Sequence, residues 1–159
     1  MTVKIRAMSA VDKPALMRIL HNTPEFKPYE VVVAEEVIDG CLQDPEGTGY
    51  FALVAECDSQ VAGYVCYGQT PCTVGTWDIY WIAVSREIRG QGIGGALTRA
   101  AEVDIKKARG RLIMIETSSQ PLYENTRRFY LGQKYEQVAR IPDFYSPGDD
   151  LLIMQKRLN

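Results

Sequence analysis

Four glycines within six residues, in the stretch RGQGIGG from Arg89 to Gly95, constrain this chain more than any other feature. They stand between two different kinds of pattern. Before them, TWDIYWIAV is rich in β-branched and aromatic residues and reads as a long strand. After them, Ile93, Leu97, Ala101, Ile105 and Ala108 recur at helical spacing and mark a helix that ends at Gly110. RLIMIET follows as a continuous apolar run, the pattern of a central strand buried on both faces. Strand, glycine loop, helix and strand form a βαβ unit, which should be parallel and right-handed.

The flanks read as follows. VKIRAM alternates as a first strand, and Asp12 is a candidate cap for a helix with Pro14 in its first turn and a stripe of Ala15, Leu16, Ile19 and Leu20. A second helix is expected from about Pro28 to Gln43, with Val31, Ala34, Ile38 and Cys41 on one face; the β-branched run Val31 to Val33 works against it. YFALVAE and QVAGYVCYGQ are two strands separated by Cys57-Asp58-Ser59, a hairpin signal. Pro121 opens a further helix, with Leu122, Thr126, Phe129 and Tyr130 on one side. YEQVARI and LLIMQKRL close the chain as strands, separated by PDFYSPGDD, a loop loaded with turn residues. The fold class is α/β: a single domain over residues 1–159, with a mixed, mostly antiparallel sheet and a central parallel β-α-β unit.

A formal net charge of −2 gives no electrostatic case for nucleic acid or membrane as partner. No apolar run approaches the roughly 18 residues of a spanning helix. MTVKIRAMSA lacks the apolar core of an export signal, so the expected location is cytoplasmic. Four cysteines with no C-x-x-C pair, and His21 as the one histidine, argue against a zinc site and against a Ser-His-Asp triad. No metal is expected; the cysteines read as reduced thiols in or near the core, and His21 as a helix-end residue.

The glycine loop has two readings. From Gly90 it spells G-x-G-x-x-G, a dinucleotide fingerprint, with Glu116 at a suitable distance for a ribose contact. From Arg89 it spells R-x-x-G-x-G, a coenzyme A motif. Against the first, Ser85 to Arg89 intervene between strand and glycines, half the chain precedes the motif, and too few residues follow Glu116 for further parallel units. For the second, DIYWIAVSREIRGQGIGGALTRAAE resembles the central motif of the GNAT superfamily of acyl-CoA-dependent N-acyltransferases. YENTRRFYLGQKYEQVARI is similar to that family's following helix and strand, and the element order matches throughout.

The resemblance implies acetyl transfer from acetyl-CoA, as cosubstrate, to an amine. It implies cofactor contacts from Ile82, Ala83 and Val84 on the strand and from Arg89, Gly90, Gln91, Gly92, Ile93, Gly94 and Gly95 on the loop. Physically, the helix start offers unpaired amides and the positive end of the helix dipole, and glycines let a pyrophosphate approach them. It implies Tyr130 as the general acid and Asp78 as the base, with Glu56, Tyr80 and an ordered water as rivals for the base. An alkylamine has a pKa near 10.4, so only about one in a thousand is neutral at pH 7 and its proton must be collected. Period-two alternation puts Asp78, Tyr80, Ile82 and Val84 on one face.

Some positions depart from the family pattern. Tyr123 stands where an Asn is common, with Asn125 two residues on, and Lys134 stands where a glycine usually ends the helix. Arg127 and Arg128 read as exposed helix charges rather than phosphate ligands. The acceptor site should lie between the first two helices and the late loop. Glu25, Glu30, Glu35, Glu36 and Asp39 gather in the former, and Asp143, Asp149 and Asp150 in the latter, suiting either a cationic amine or a solvated surface. The acceptor is a small-molecule amine or a protein amino group, and a homodimer is possible. The alternative function is a catalytically silent acetyl-CoA-binding module that regulates a partner.

Overall fold

The structure, a computed structural model, describes residues 1–159. Strand β1 (Val3–Ala7) leads into helices α1 (Lys13–His21) and α2 (Pro28–Gln43) and the single turn α3 (Pro45–Thr48). An antiparallel meander follows: β2 (Tyr50–Cys57), β3 (Gln60–Gln69) and β4 (Thr76–Val84). Then come α4 (Ile93–Lys107), β5 (Leu112–Ser118), α5 (Glu124–Gly132), β6 (Glu136–Ser146) and β7 (Asp149–Arg157). One seven-stranded sheet runs in the order β1-β2-β3-β4-β5-β7-β6, with β4–β5 as its parallel pair.

Helices cover both faces of the sheet. On one, Leu97, Ala101 and Ile105 of α4 and Tyr130 of α5 pack against Val65, Trp77, Ile79, Ile113, Ile115 and Met154. On the other, Leu16, Ile19 and Leu20 of α1 and Val31, Ala34 and Ile38 of α2 pack against Val54, Tyr64, Cys66 and Ala83. The strand covered on both sides is therefore β3, where every residue from Ala62 to Tyr67 is buried. On β5, Ile113 and Ile115 are buried, but Leu112 and Met114 are half-buried and Glu116 is exposed. The expected double burial of β5 fails because α1 and α2 stop short of it and leave one face open.

Three local readings also change. Asp12 does not cap forward: its carboxylate accepts from the amide of Ser9 at 2.7 Å and from Arg6 at 2.7 and 2.8 Å. It is 2% exposed, and Arg6 offsets the cost of burying it while also reaching Glu56 at 2.7 Å. Second, PDFYSPGDD is no open loop, since β6 runs to Ser146 and turns through Pro147 and Gly148 into β7. Third, α4 leaves the helix through Arg109, whose φ is +64°; Gly110 is fixed by packing, because a Cβ there would lie 2.3 Å from Ile105 Cγ2. The β2–β3 turn is Asp58-Ser59, with φ of 49° and 66°, as a two-residue hairpin requires. All four cysteines are unbridged; Cys41 and Cys66 lie 3.7 Å apart, sulfur to sulfur, while Cys72 is exposed rather than near the core. No helix is long and apolar enough to cross a membrane.

Candidate active site

The parallel pair is short. Only Thr76, Trp77 and Asp78 of β4 face Leu112, Ile113 and Met114 of β5. Beyond them β4 continues beside β3, and β5 beside β7, so the two strands splay apart. A cavity of about 1410 Å³ opens along the gap. This exceeds an ordinary small-molecule pocket and has room for a large cofactor and a second substrate. Asp78, Ile82, Val84, Arg89, Gly90, Gly92, Ile93, Gly94, Gly95 and Tyr130 all line it. Ala83 and Gln91 do not: Ala83 is buried towards α1 and α2, and Gln91 is exposed.

Strict alternation along β4 is broken. Ile79 pairs with Tyr67 and Trp81 with Cys66, leaving Tyr80 as the extra residue of a β-bulge. Beyond the bulge every side chain changes face. Asp78 points to the α1 and α2 side, whereas Ile82 and Val84 pack on the α4 and α5 side. Asp78 and Ile82 thus serve opposite ends of the cavity, contrary to the shared face that period two implies. All of β4 from Ile79 to Val84 is apolar or aromatic, so the pattern alone carries no trace of the slip.

At the α4 end, Gly90 and Gly92 hold φ of 81° and 84°, a conformation that a side chain strains. Gly92 caps α4, and the first helical amide to find a main-chain partner is Ala96, which donates to the Gly92 carbonyl at 3.0 Å. The amides of Ile93, Gly94 and Gly95 remain the orphan donors of a first turn, on the cavity wall. A Cβ on Gly94 would sit 3.3 Å from the Phe129 ring, so this glycine lets α5 approach α4. Arg89 does not extend freely: its guanidinium meets Glu25 at 3.1 Å, joining the loop to the segment between α1 and α2.

Tyr130 is 6% exposed, and burial alone raises its hydroxyl above the usual phenol range. No protein group bonds that hydroxyl. Thr117 Oγ1, on the same cavity wall, is fully buried and without a partner.

The model of the acetyltransferase (GNAT) family matches residues 15–132 of this sequence. The chain belongs to the GNAT acetyltransferase family. An uncharacterized N-acetyltransferase of Methanocaldococcus jannaschii is 32% identical over 144 residues, covering 84% of this chain and 89% of the relative. A crystal structure described as a GNAT-family acetyltransferase, from Desulfovibrio desulfuricans, superposes with a TM-score of 0.94 at 37% identity, covering 98% of this chain and 99% of that one. The PaiA N-acetyltransferase of Thermoplasma acidophilum, solved with coenzyme A, shares the fold at a TM-score of 0.77 and 16% identity, covering 99% of this chain and 100% of that one.

The carboxylates of this GNAT chain divide sharply. Glu56, one rival for the base, is held by Arg6 outside the cavity. Glu35 and Asp39 are paired with Lys13, and Asp150 with Arg140, so none of these serves the site. Glu30, Asp78, Glu116 and Asp149 line the cavity. Asp78 accepts from Thr70 Oγ1 and Asp149 from Ser118 Oγ. Tyr80, the other rival base, is pushed up to about 12, mainly by burial, which makes it a poor proton acceptor at neutral pH. Arg127 donates to the carbonyls of Ser118 and Gln120, and Arg128 pairs with Glu124, as structural charges. Tyr123 uses its hydroxyl to bond the Glu25 carbonyl at 2.9 Å and Glu30 at 3.2 Å, and Asn125 lines the cavity.

The sequence pattern places neither Glu116 beside Asp78 on the cavity wall nor Thr117 there. Glu116 closes the apolar run of β5 and enters the sequence argument only through the dinucleotide reading of the loop, which the order of elements rejects.

Proposed function

We propose that this GNAT protein transfers an acetyl group from acetyl-CoA to the primary amine of a small molecule or protein by direct attack. One observation carries the reading. A single cavity joins the orphan amides at the start of α4, the unpartnered Tyr130 hydroxyl and the carboxylates of the α1 and α2 side. The amides of Ile93, Gly94 and Gly95 suit a pyrophosphate, with Arg89 and Gly90 beside it, and Ile82 and Val84 suit the pantetheine arm. The coenzyme A complex of a structural neighbour supports the same cofactor here.

On this reading Asp78, fixed by Thr70, takes the proton of the incoming ammonium. The neutral nitrogen forms a bond to the thioester carbon, the nitrogen of the tetrahedral adduct gives its second proton to solvent, the C–S bond breaks, and the electron pair leaves on sulfur. Tyr130 gives its proton to that thiolate and recovers one from solvent. Glu116 faces Asp78, and partial burial and then the Asp78 charge raise its carboxyl above the usual range, so it can relay the collected proton outward.

Thiol release from acetyl-CoA with a panel of amines and peptides tests this reading. Tight acetyl-CoA binding with no release by any acceptor would leave the silent binding module in its place.

A further inference from the structure

The acceptor half of the cavity has a charge problem. Glu30 comes from α2, Asp78 from β4, Glu116 from β5 and Asp149 from β7. None has a lysine or arginine in an ion pair. The arginines of the cavity are at the other end, Arg89 against Glu25 and Arg99 beside Gly95. Lys27 is the nearest cation to Glu30, but its ammonium sits over the Tyr29 ring at 5.8 Å.

The repulsion is felt. Burial first, with the charge of Asp149 adding a smaller part, holds the Glu30 carboxyl above its ordinary range although the bond from Tyr123 and the charge of Lys27 both pull it down. Tyr145 is pushed up to about 12 by burial, then by Glu116, Asp149 and Glu30, so it stands among all three. Yet the four carboxylates do not converge, and no three of them are grouped to hold a metal ion. Their charge is spread along the cavity. Tyr80, Trp81, Tyr29 and Tyr145 form its walls, faces suited to methylene chains and to cations over a ring. The unpartnered, 6% exposed Tyr130 fixes the reacting end of the same cavity.

Resting on the acetyl-transfer reading, we infer that the acceptor is a small, elongated amine with a second positive charge. The reacting amine lies by Asp78 and Glu116, and the distal cation lies among Glu30, Asp149 and Tyr145. A peptide with neutral side chains brings one cation, at the nitrogen that reacts, and would set its carbonyls against the remaining carboxylates. Acetylation of a dication removes one positive charge, so the product is held more weakly than the substrate and leaves.

The test compares 1,4-diaminobutane, butylamine and a tripeptide with neutral side chains as acceptors, using the full chain with acetyl-CoA and reading thiol release. The diamine should exceed butylamine in kcat/KM by at least about tenfold at low salt, the gap narrowing as salt rises. Glu30→Gln, close in shape, should cut that preference at least about threefold. Equal rates for diamine and butylamine, or a faster tripeptide, would overturn the dication while leaving acetyl transfer intact. Acetyl-CoA binding without thiol release from any of the three would overturn the dication, and acetyl transfer falls with it only where the wider panel of amines and peptides is silent too.

Discussion

Tyr130 and Tyr135 are two ends of one helix cap. The amide of Tyr135 donates to the Tyr130 carbonyl at 3.0 Å, the amide of Lys134 donates to that of Leu131 at 3.0 Å, and the two rings meet edge to face at 5.9 Å. This is the Schellman arrangement with its apolar contact. Tyr135 is anchored in turn by its hydroxyl bond to Glu102 at 3.0 Å. The cap that ends α5 therefore also sets where the Tyr130 ring points.

Lys134 occupies the left-handed position of that cap, with φ of +72°, and is exposed. The expected weak cap is a strained one. Lys134→Gly should stabilise the protein by about 1 kcal/mol, since a left-handed non-glycine costs roughly 1–2. For a chain of this size the melting temperature should rise by about 2–4 °C. Thermal unfolding of the two proteins checks it; no rise would mean that Lys134 makes a compensating contact.

Tyr130→Phe removes only the unpartnered hydroxyl and keeps the ring. Turnover should fall by about 10² or more, with acetyl-CoA affinity changed less than about threefold. Stability should hold, because no hydrogen bond is lost. Steady-state kinetics and calorimetry separate this from a structural role, in which melting would drop and turnover survive.

Asp78→Asn should lower the rate by roughly 10²–10⁴, with part of the loss recovered at high pH, where more acceptor is already neutral. Glu116→Gln should cost less. Rate profiles between about pH 6 and 9 decide it, and a larger loss for Glu116→Gln would make Glu116 the base.

Gly92→Val should weaken acetyl-CoA binding at least about tenfold, equivalent to about 1.4 kcal/mol, in a protein that still folds. A Cβ there meets nothing within 4 Å in the protein, but the φ of +84° strains it and it would project among the orphan amides. Unchanged calorimetric affinity in the folded variant would remove the loop from the cofactor site.

The Arg6–Asp12 pair makes stability depend on acid. The Arg6 guanidinium, by hydrogen bond and charge, holds the Asp12 carboxyl below its usual value of 3.8. A depressed folded value means that the unfolded chain takes the proton first. The contribution is complete above the unfolded pKa and is lost as pH falls through the folded one. Asp12→Asn should destabilise by about 2 kcal/mol at neutral pH, and the difference from wild type should shrink in acid. Urea unfolding at several pH values measures it.

The sequence alone determined the order of the strands and of the longer helices, the bounds of α2, the glycine turn into α4 and the inward face of Tyr130. Each follows from local physics: helical spacing of apolar residues, the φ that glycine permits, and the turn residues between strands. Tertiary structure decided the rest. Whether Ile82 shares a face with Asp78 depends on the cross-strand pairing of Cys66 and Tyr67, which inserts Tyr80 and turns over the end of β4. Which acids belong to the site depends on which cations long-range packing brings to them. Lys13 takes Glu35 and Asp39, Arg6 takes Glu56, Arg89 takes Glu25, and Glu30, Asp78, Glu116 and Asp149 line the cavity outside any ion pair. Periodicity reports the burial of one element at a time. A splayed pair of strands and an uncompensated group of carboxylates arise only when four separate elements meet.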